Sequence, residues 1–120
     1  MNKTITIQRL EAGAVFITAT FIYVYNDLSL IYFLLLLFVF DLFMVGYFVS
    51  SRVGALVYNV GHSFIIPTLL TGLYVLNESD VILGLACLWF AHIGLDRALG
   101  YGLKHDSGFA HTHLGKIGKQ

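Results

Sequence analysis

The chain has 120 residues, of which 58% are hydrophobic, with a mean hydropathy of +0.79 and a formal net charge of zero. A soluble domain this small cannot hide so large an apolar share, which in globular chains runs at about 45–50%, so a soluble globular fold is excluded and no nucleic-acid partner is expected. The one cysteine, Cys87, lies within an apolar run, which leaves no internal disulfide and no thiolate metal site.

Four apolar runs follow one another, at roughly 8–25, 28–49, 54–76 and 80–103. Crossing a hydrocarbon core of about 30 Å takes about 20 helical residues, so each run suffices for one span, the first by a narrow margin. The runs are continuous rather than alternating and longer than the roughly 9–11 residues of a tilted barrel strand, which argues against a transmembrane β-barrel. The links Asn26-Asp27, Ser50-Ser51-Arg52 and Asn77-Glu78-Ser79-Asp80 are short enough to make successive helices antiparallel neighbours. The expected fold is therefore all-α, a membrane-embedded up-down four-helix bundle over 1–104 with a C-terminal tail over 105–120. Four spans place Lys3, Arg9, Arg52, Arg97, Lys104, Lys116 and Lys119 on one side and only Asp27, Glu78 and Asp80 on the other. The positive-inside rule then makes the basic side, with both termini, cytoplasmic.

The first run begins among basic residues, as a signal peptide does. Glu11 interrupts its start, however, and Val24-Tyr25-Asn26 at its end lacks the small residues of a cleavage site, so it reads as a retained span. Tyr23 and Tyr25 suit the interface at its far end. In the second run Asp41 breaks an otherwise unbroken apolar sequence. In the third, Asn59, His62 and Ser63 stand three and four apart on one helix face, and Pro67 is expected to bend the helix by leaving the Ser63 carbonyl without its donor. In the fourth, His92 and Asp96 stack on one face, Gly94, Ala98 and Gly102 form a row of small residues open to a neighbouring backbone, and Arg97, Tyr101 and Lys104 mark the cytoplasmic rim.

Antiparallel helices allow these polar positions to be compared by depth. At about 1.5 Å per residue from the cytoplasmic ends, Asp41 and His62 both lie about 13 Å in, His92 about 16 Å and Asp96 about 10 Å, with Glu11 nearer the surface on the same side. Ionisable groups within a span are costly and tend to mark function. Histidines and carboxylates projecting from facing helices at one level are how bundles build metal sites, and a set without thiolates suits zinc, manganese or iron. The same residues also read as a buried ion pair with a structural role, or as a proton path. Arg97 and Lys104 fit an anion or lipid-phosphate contact, and equally an ordinary helix end. In the tail, His105, Asp106, His111 and His113 surround a predicted turn that returns apolar side chains to the membrane surface, with His113 placed to cap the mouth of the site.

The blocks DLFMVGYF (41–48), GALVYNVGHSFIIP (54–67), WFAHIGLDRALGYGLK (89–104) and FAHTHLG (109–115), with the early Arg9-Leu10-Glu11, closely resemble the small bacterial membrane proteins grouped as domain of unknown function 4260. The resemblance covers nearly the whole chain and implies a place in the bacterial cytoplasmic membrane. Its pattern overlaps Glu11, Asp41, Asn59, His62, His92, Asp96, Arg97 and His113. His105-Asp106 and His111 depart from that pattern and take no family role. A shorter likeness, His-Ser on one helix and His-x-x-x-Asp on a later one, is to membrane-bound metal-dependent hydrolases, although their additional histidine motif is missing here.

The resulting expectation is a metal-binding hydrolase in the membrane, acting from the cytoplasmic side on a lipid or lipid-linked substrate. His62, His92 and Asp96 hold the divalent cation, Asp41 assists as ligand or catalyst, and Glu11 is a general base or further ligand. Asn59, Arg97, Lys104 and His113 contact substrate. The alternatives are a proton- or ion-coupled transporter using the same ionisable cluster, and a structural or partner-binding subunit; homo-oligomers are open in each case.

Overall fold

Residues 3–105 and 108–116 are described by the computed structural model, so that Asp106 and Lys119, named above, lie outside the described residues. Helix α1 spans Lys3–Tyr25 and α2 spans Leu30–Leu36, after which the chain tightens into a 3-10 helix over Val39–Phe48. Helices α3 (Ser51–His62), α4 (Ile65–Asn77) and α5 (Asp80–Ala98) follow, and the tail adds short strands β1 (Lys104–His105), β2 (Gly108–Thr112) and β3 (Gly115–Lys116) in an antiparallel sheet of that order. Four stretches are long and apolar enough to cross a membrane: Lys3–Tyr25, Leu30–Phe48, Ser51–Asn77 and Asp80–Ala98. Their large side chains point outward to an extent no soluble core would show, with Phe48, Leu76 and Val81 among the most exposed.

The four helical spans expected from the sequence are present, and two of them are not continuous helices. The second breaks at Leu37-Phe38 and the third at Ser63-Phe64, where Ser63 turns to an extended conformation. The third breaks where Pro67 is expected to bend it, at Ser63, and the bend is a full interruption that leaves Pro67 at the third position of α4. A first turn has no intrahelical partner for its N–H groups, so proline is accommodated there without loss.

Helix α5 is the pillar of the fold, with α1 along one side and α4 along another, while α3 packs on the 3-10 helix. Gly94 makes the α1–α5 approach possible, because a Cβ there would stand 2.7 Å from the Ala12 carbonyl oxygen and 2.8 Å from the Phe16 nitrogen. Further out, Ala19, Tyr23, Phe33, Leu37, Phe40, Leu83, Cys87, Leu88 and Ala91 close into one apolar core. Ser29 and Ser50 begin α2 and α3, each hydroxyl accepting from the backbone N–H three residues on. Helix α5 ends in a Schellman turn: Gly100 takes φ +98°, the Tyr101 N–H donates to the Asp96 carbonyl at 2.7 Å, and the Gly100 N–H donates to that of Arg97 at 3.0 Å. Arg9 reaches across from α1 and donates from Nε to the Ala98 carbonyl at 2.9 Å, a cation where the helix leaves its last carbonyls.

Candidate metal centre

The two interruptions lie at the level of the candidate site, and each frees backbone groups that the site then uses. The 3-10 helix repeats every three residues, so its side chains fall into three aligned rows. Phe40, Phe43 and Gly46 form the inward row, Leu42, Val45 and Phe48 the outward one, and Asp41, Met44 and Tyr47 the row between, half-buried along its length. Asp41 is thereby aimed past the edge of the core toward α3 and α5. The break before this helix leaves the Leu37 carbonyl exposed to the interior, and His92 Nδ1–H donates to it at 2.8 Å.

At the end of α3 the carbonyls that a helix leaves without partners are met by side chains from elsewhere. Trp89 Nε1–H donates to the Gly61 carbonyl at 2.6 Å and Arg97 Nη2 to that of His62 at 3.1 Å. His62 folds back along its own helix, its Nδ1–H donating to the Tyr58 carbonyl at 3.0 Å while its ring lies flat on the Tyr58 ring, centroids 3.8 Å apart.

These contacts fix the tautomers. A carbonyl oxygen can only accept, so the Nδ1 of both histidines carries hydrogen, and in the neutral rings each Nε2 presents a lone pair. Those lone pairs point at one another across 3.0 Å. His92 Nε2 lies 3.2 Å from Asp41 Oδ1 and 3.2 Å from Asp96 Oδ2, and His62 Nε2 lies 3.5 Å and 3.6 Å from the same two atoms. All four ligand atoms fall within 4.8 Å of one another. Four acceptors therefore converge in a site walled by buried groups, which is costly without a cation among them.

The spacing also fits a particular cation geometry. A tetrahedral site with bonds of about 2.0–2.1 Å to nitrogen and oxygen has ligand–ligand edges of about 3.3–3.4 Å, and the separations that involve a histidine run from 3.0 to 3.6 Å. Backbone carbonyls behind both imidazoles supply the outer hydrogen bonds that orient metal-binding histidines. Burial is graded: the His92 side chain is fully buried, that of Asp96 15% exposed and that of Asp41 42% exposed, so the set has one open corner. Asp41 opens onto a groove of about 400 Å³ whose other walls are Leu42, Met44, Val45, Tyr47 and Phe48.

The remaining sequence candidates lie around this centre. Glu11 is absent from the four-residue cluster and instead lines a cavity of about 220 Å³ together with Gln8, Phe64, Arg97 and His113. The Arg97 guanidinium rests on the Phe64 ring, 4.4 Å from its centroid. Asn59 brackets the backbone of Lys104, accepting from its N–H at 2.6 Å and donating to its carbonyl at 2.8 Å, as a neighbouring strand would. Lys104 is buried with its ammonium 4.7 Å from the centre of the Tyr58 ring, and burial pulls its pKa down to about 8. His113 is tied twice to Leu103, donating from its backbone N–H and accepting at Nδ1. The structural parts with no signal in the sequence are the Leu37 carbonyl and Trp89; the first is main chain, and the second reads as one more apolar residue.

The family model described as "Domain of unknown function (DUF4260)" matches residues 5–117, and the chain belongs to that family. No curated protein and no solved structure matches it significantly.

Proposed function

We propose that this member of the DUF4260 family is an integral membrane metalloprotein, a hydrolase of lipid or lipid-linked esters or phosphoesters working at the cytoplasmic face of the bacterial inner membrane. The observation that carries the proposal is the convergence of His62, His92, Asp41 and Asp96 with both Nδ1 atoms already committed to carbonyls. Zinc, manganese and iron suit these donors. When bound, such a cation supplies Lewis acidity and a more acidic water. His62, His92 and Asp96 are the buried ligands. Asp41, the exposed corner, borders the apolar groove, where its carboxylate is placed to take a proton from an attacking water once the reacting bond lies beside it. Arg97 leaves guanidinium donors beyond its contact with His62 and is the group placed to hold a phosphate. Asn59 and Lys104 serve this reading by anchoring the tail.

The test is metal content of the detergent-purified protein, prepared without a His-tag, beside a His62→Ala/Asp96→Ala variant. One equivalent of a transition metal that the variant lacks supports the centre, and release of product from phospholipid or ester substrates by the loaded protein supports hydrolysis. A folded protein that takes up no zinc, manganese or iron sinks both.

A second reading, a carrier for a metal ion or proton, is favoured by one feature. Spans two and three both break at the level of the cluster, as discontinuous helices do around midplane ion sites in transporters. Flux of the bound ion across proteoliposomes, with no turnover of lipid, would select it.

A further inference from the structure

The cavity beside the centre has a composition that the hydrolase reading does not require. It is lined by a residue with a carboxylate from α1, Glu11, and one with a guanidinium from α5, Arg97, together with Gln8 and His113. Opposite charges on one small cavity ordinarily close into an ion pair. Here they do not: among the described residues no ion pair joins Arg97 to a carboxylate, and its polar contact is the His62 carbonyl. Stacking on Phe64 and that single hydrogen bond hold the guanidinium plane in place, which keeps it from swinging across to Glu11.

A held cation and a more exposed carboxylate lining one space without meeting suit a ligand that carries both charges. At about 220 Å³ the cavity is below the roughly 300–1,000 Å³ usual for drug-sized ligands and suits a headgroup. A guanidinium favours phosphate, with which it makes paired hydrogen bonds, and a carboxylate with a neighbouring amide favours a primary ammonium. The location agrees, since α1 begins, α5 ends and the tail folds back at this end of the molecule, where a lipid headgroup would lie.

We propose that the Glu11–Arg97–His113 cavity binds an aminoethyl phosphate zwitterion, the headgroup of phosphatidylethanolamine or its soluble counterpart, with phosphate on Arg97 and ammonium on Glu11. This rests on the lipid-substrate reading above and narrows it to a zwitterionic phospholipid. Neither bound metal nor turnover is needed to observe it, so its failure and the failure of the metal centre can be told apart.

The full chain in detergent is equilibrated with an equal mixture of phosphatidylethanolamine and phosphatidylglycerol of identical acyl chains, and the retained lipid is weighed by native mass spectrometry. Preference for phosphatidylethanolamine is expected, falling about threefold in Glu11→Gln, the effect of losing one partly exposed charge pair, with metal content unchanged. Arg97→Lys, which keeps the charge but not the planar fork, should lower retention of both lipids. Displacement by O-phosphoethanolamine but not by inorganic phosphate assigns the soluble zwitterion as ligand; retention of the lipid against both assigns the membrane-anchored headgroup. Equal retention of the two lipids by the unmodified protein, or a preference that survives Glu11→Gln, overturns the proposal.

Discussion

His62 and His92 face each other with their Nε2 atoms 3.0 Å apart, each held from behind by a backbone carbonyl, so neither ring can turn a donor toward the other without giving up a buried hydrogen bond. Only a cation between them, whether metal ion or proton, removes the conflict. Metal should therefore be visible as stability. At a free concentration one hundred times the dissociation constant it adds about 2.7 kcal/mol, which chelation would take away. Trp89, the one tryptophan, stands against the end of α3 and reports the unfolding by fluorescence. Asp96→Asn should abolish the metal-dependent rise in melting temperature. Asp41→Asn, at the exposed corner, should weaken metal binding about tenfold or more and leave part of the rise.

Gly94→Ala should be more damaging than its single methyl suggests. The new Cβ would press on the backbone of α1 at Ala12 and Phe16, atoms that no rotamer change can move. Within a bilayer, helices associate through close packing rather than through the hydrophobic effect, so separating α1 from α5 removes the main attraction between them. A loss of about 1–3 kcal/mol is expected. Unfolding of the two proteins in mixed micelles of rising SDS fraction checks it.

Asn59→Ala should free the tail. Two hydrogen bonds to Lys104 are lost, and with its backbone groups left unmatched the cost is about 1–3 kcal/mol. Lys104 is buried in the intact protein, so trypsin should cleave after it readily in the variant and slowly in the parent. Asn59→Asp keeps the acceptor for the Lys104 N–H and should fall between them.

Lys104 also gives the protein a pH dependence of known sign. Burial lowers its pKa from 10.5 to about 8, against the opposing pull of Asp96 and Asp41. Between those values the unfolded chain still holds the proton that the folded chain has released, so the free energy of unfolding from this residue rises with pH from about 8 to 10.5, and the full penalty applies below 8. Denaturation curves across that window should show the rise, and Lys104→Met should remove it. A rise of the same size in the variant would assign it to another group.

The reach and the limit of the sequence can be traced through these residues. Counting depth along antiparallel helices brings Asp41, His62, His92 and Asp96 to one level, and the structure does bring the four together, because the steeper rise of the 3-10 residues after Asp41, about 2.0 against 1.5 Å each, shifts its depth by only a few ångströms. Depth says nothing about rotation, and Glu11 shows it. Its neighbour Ala12 is the residue that packs on α5, which turns the Glu11 carboxylate away to the adjoining cavity. The break at Leu37-Phe38 leaves no trace in a run of leucine and phenylalanine, since the 3-10 rows are apolar on every side except at Asp41. Pro67, by contrast, does mark the third span, because the carbonyl it leaves without a donor is that of Ser63, where the helix breaks. The strands of the tail are too short to show an alternating pattern.

The Leu37 carbonyl that orients His92 belongs to the main chain, and this shapes how the centre responds to mutation over generations. A side-chain orienter can be deleted by one codon change; this one cannot. Any apolar residue that keeps the turn at position 37 supplies the same oxygen, so drift there is silent at the imidazole while changes at His92 itself are not. The histidine is thus insured against side-chain changes in its neighbour, while the imidazole itself has no such cover.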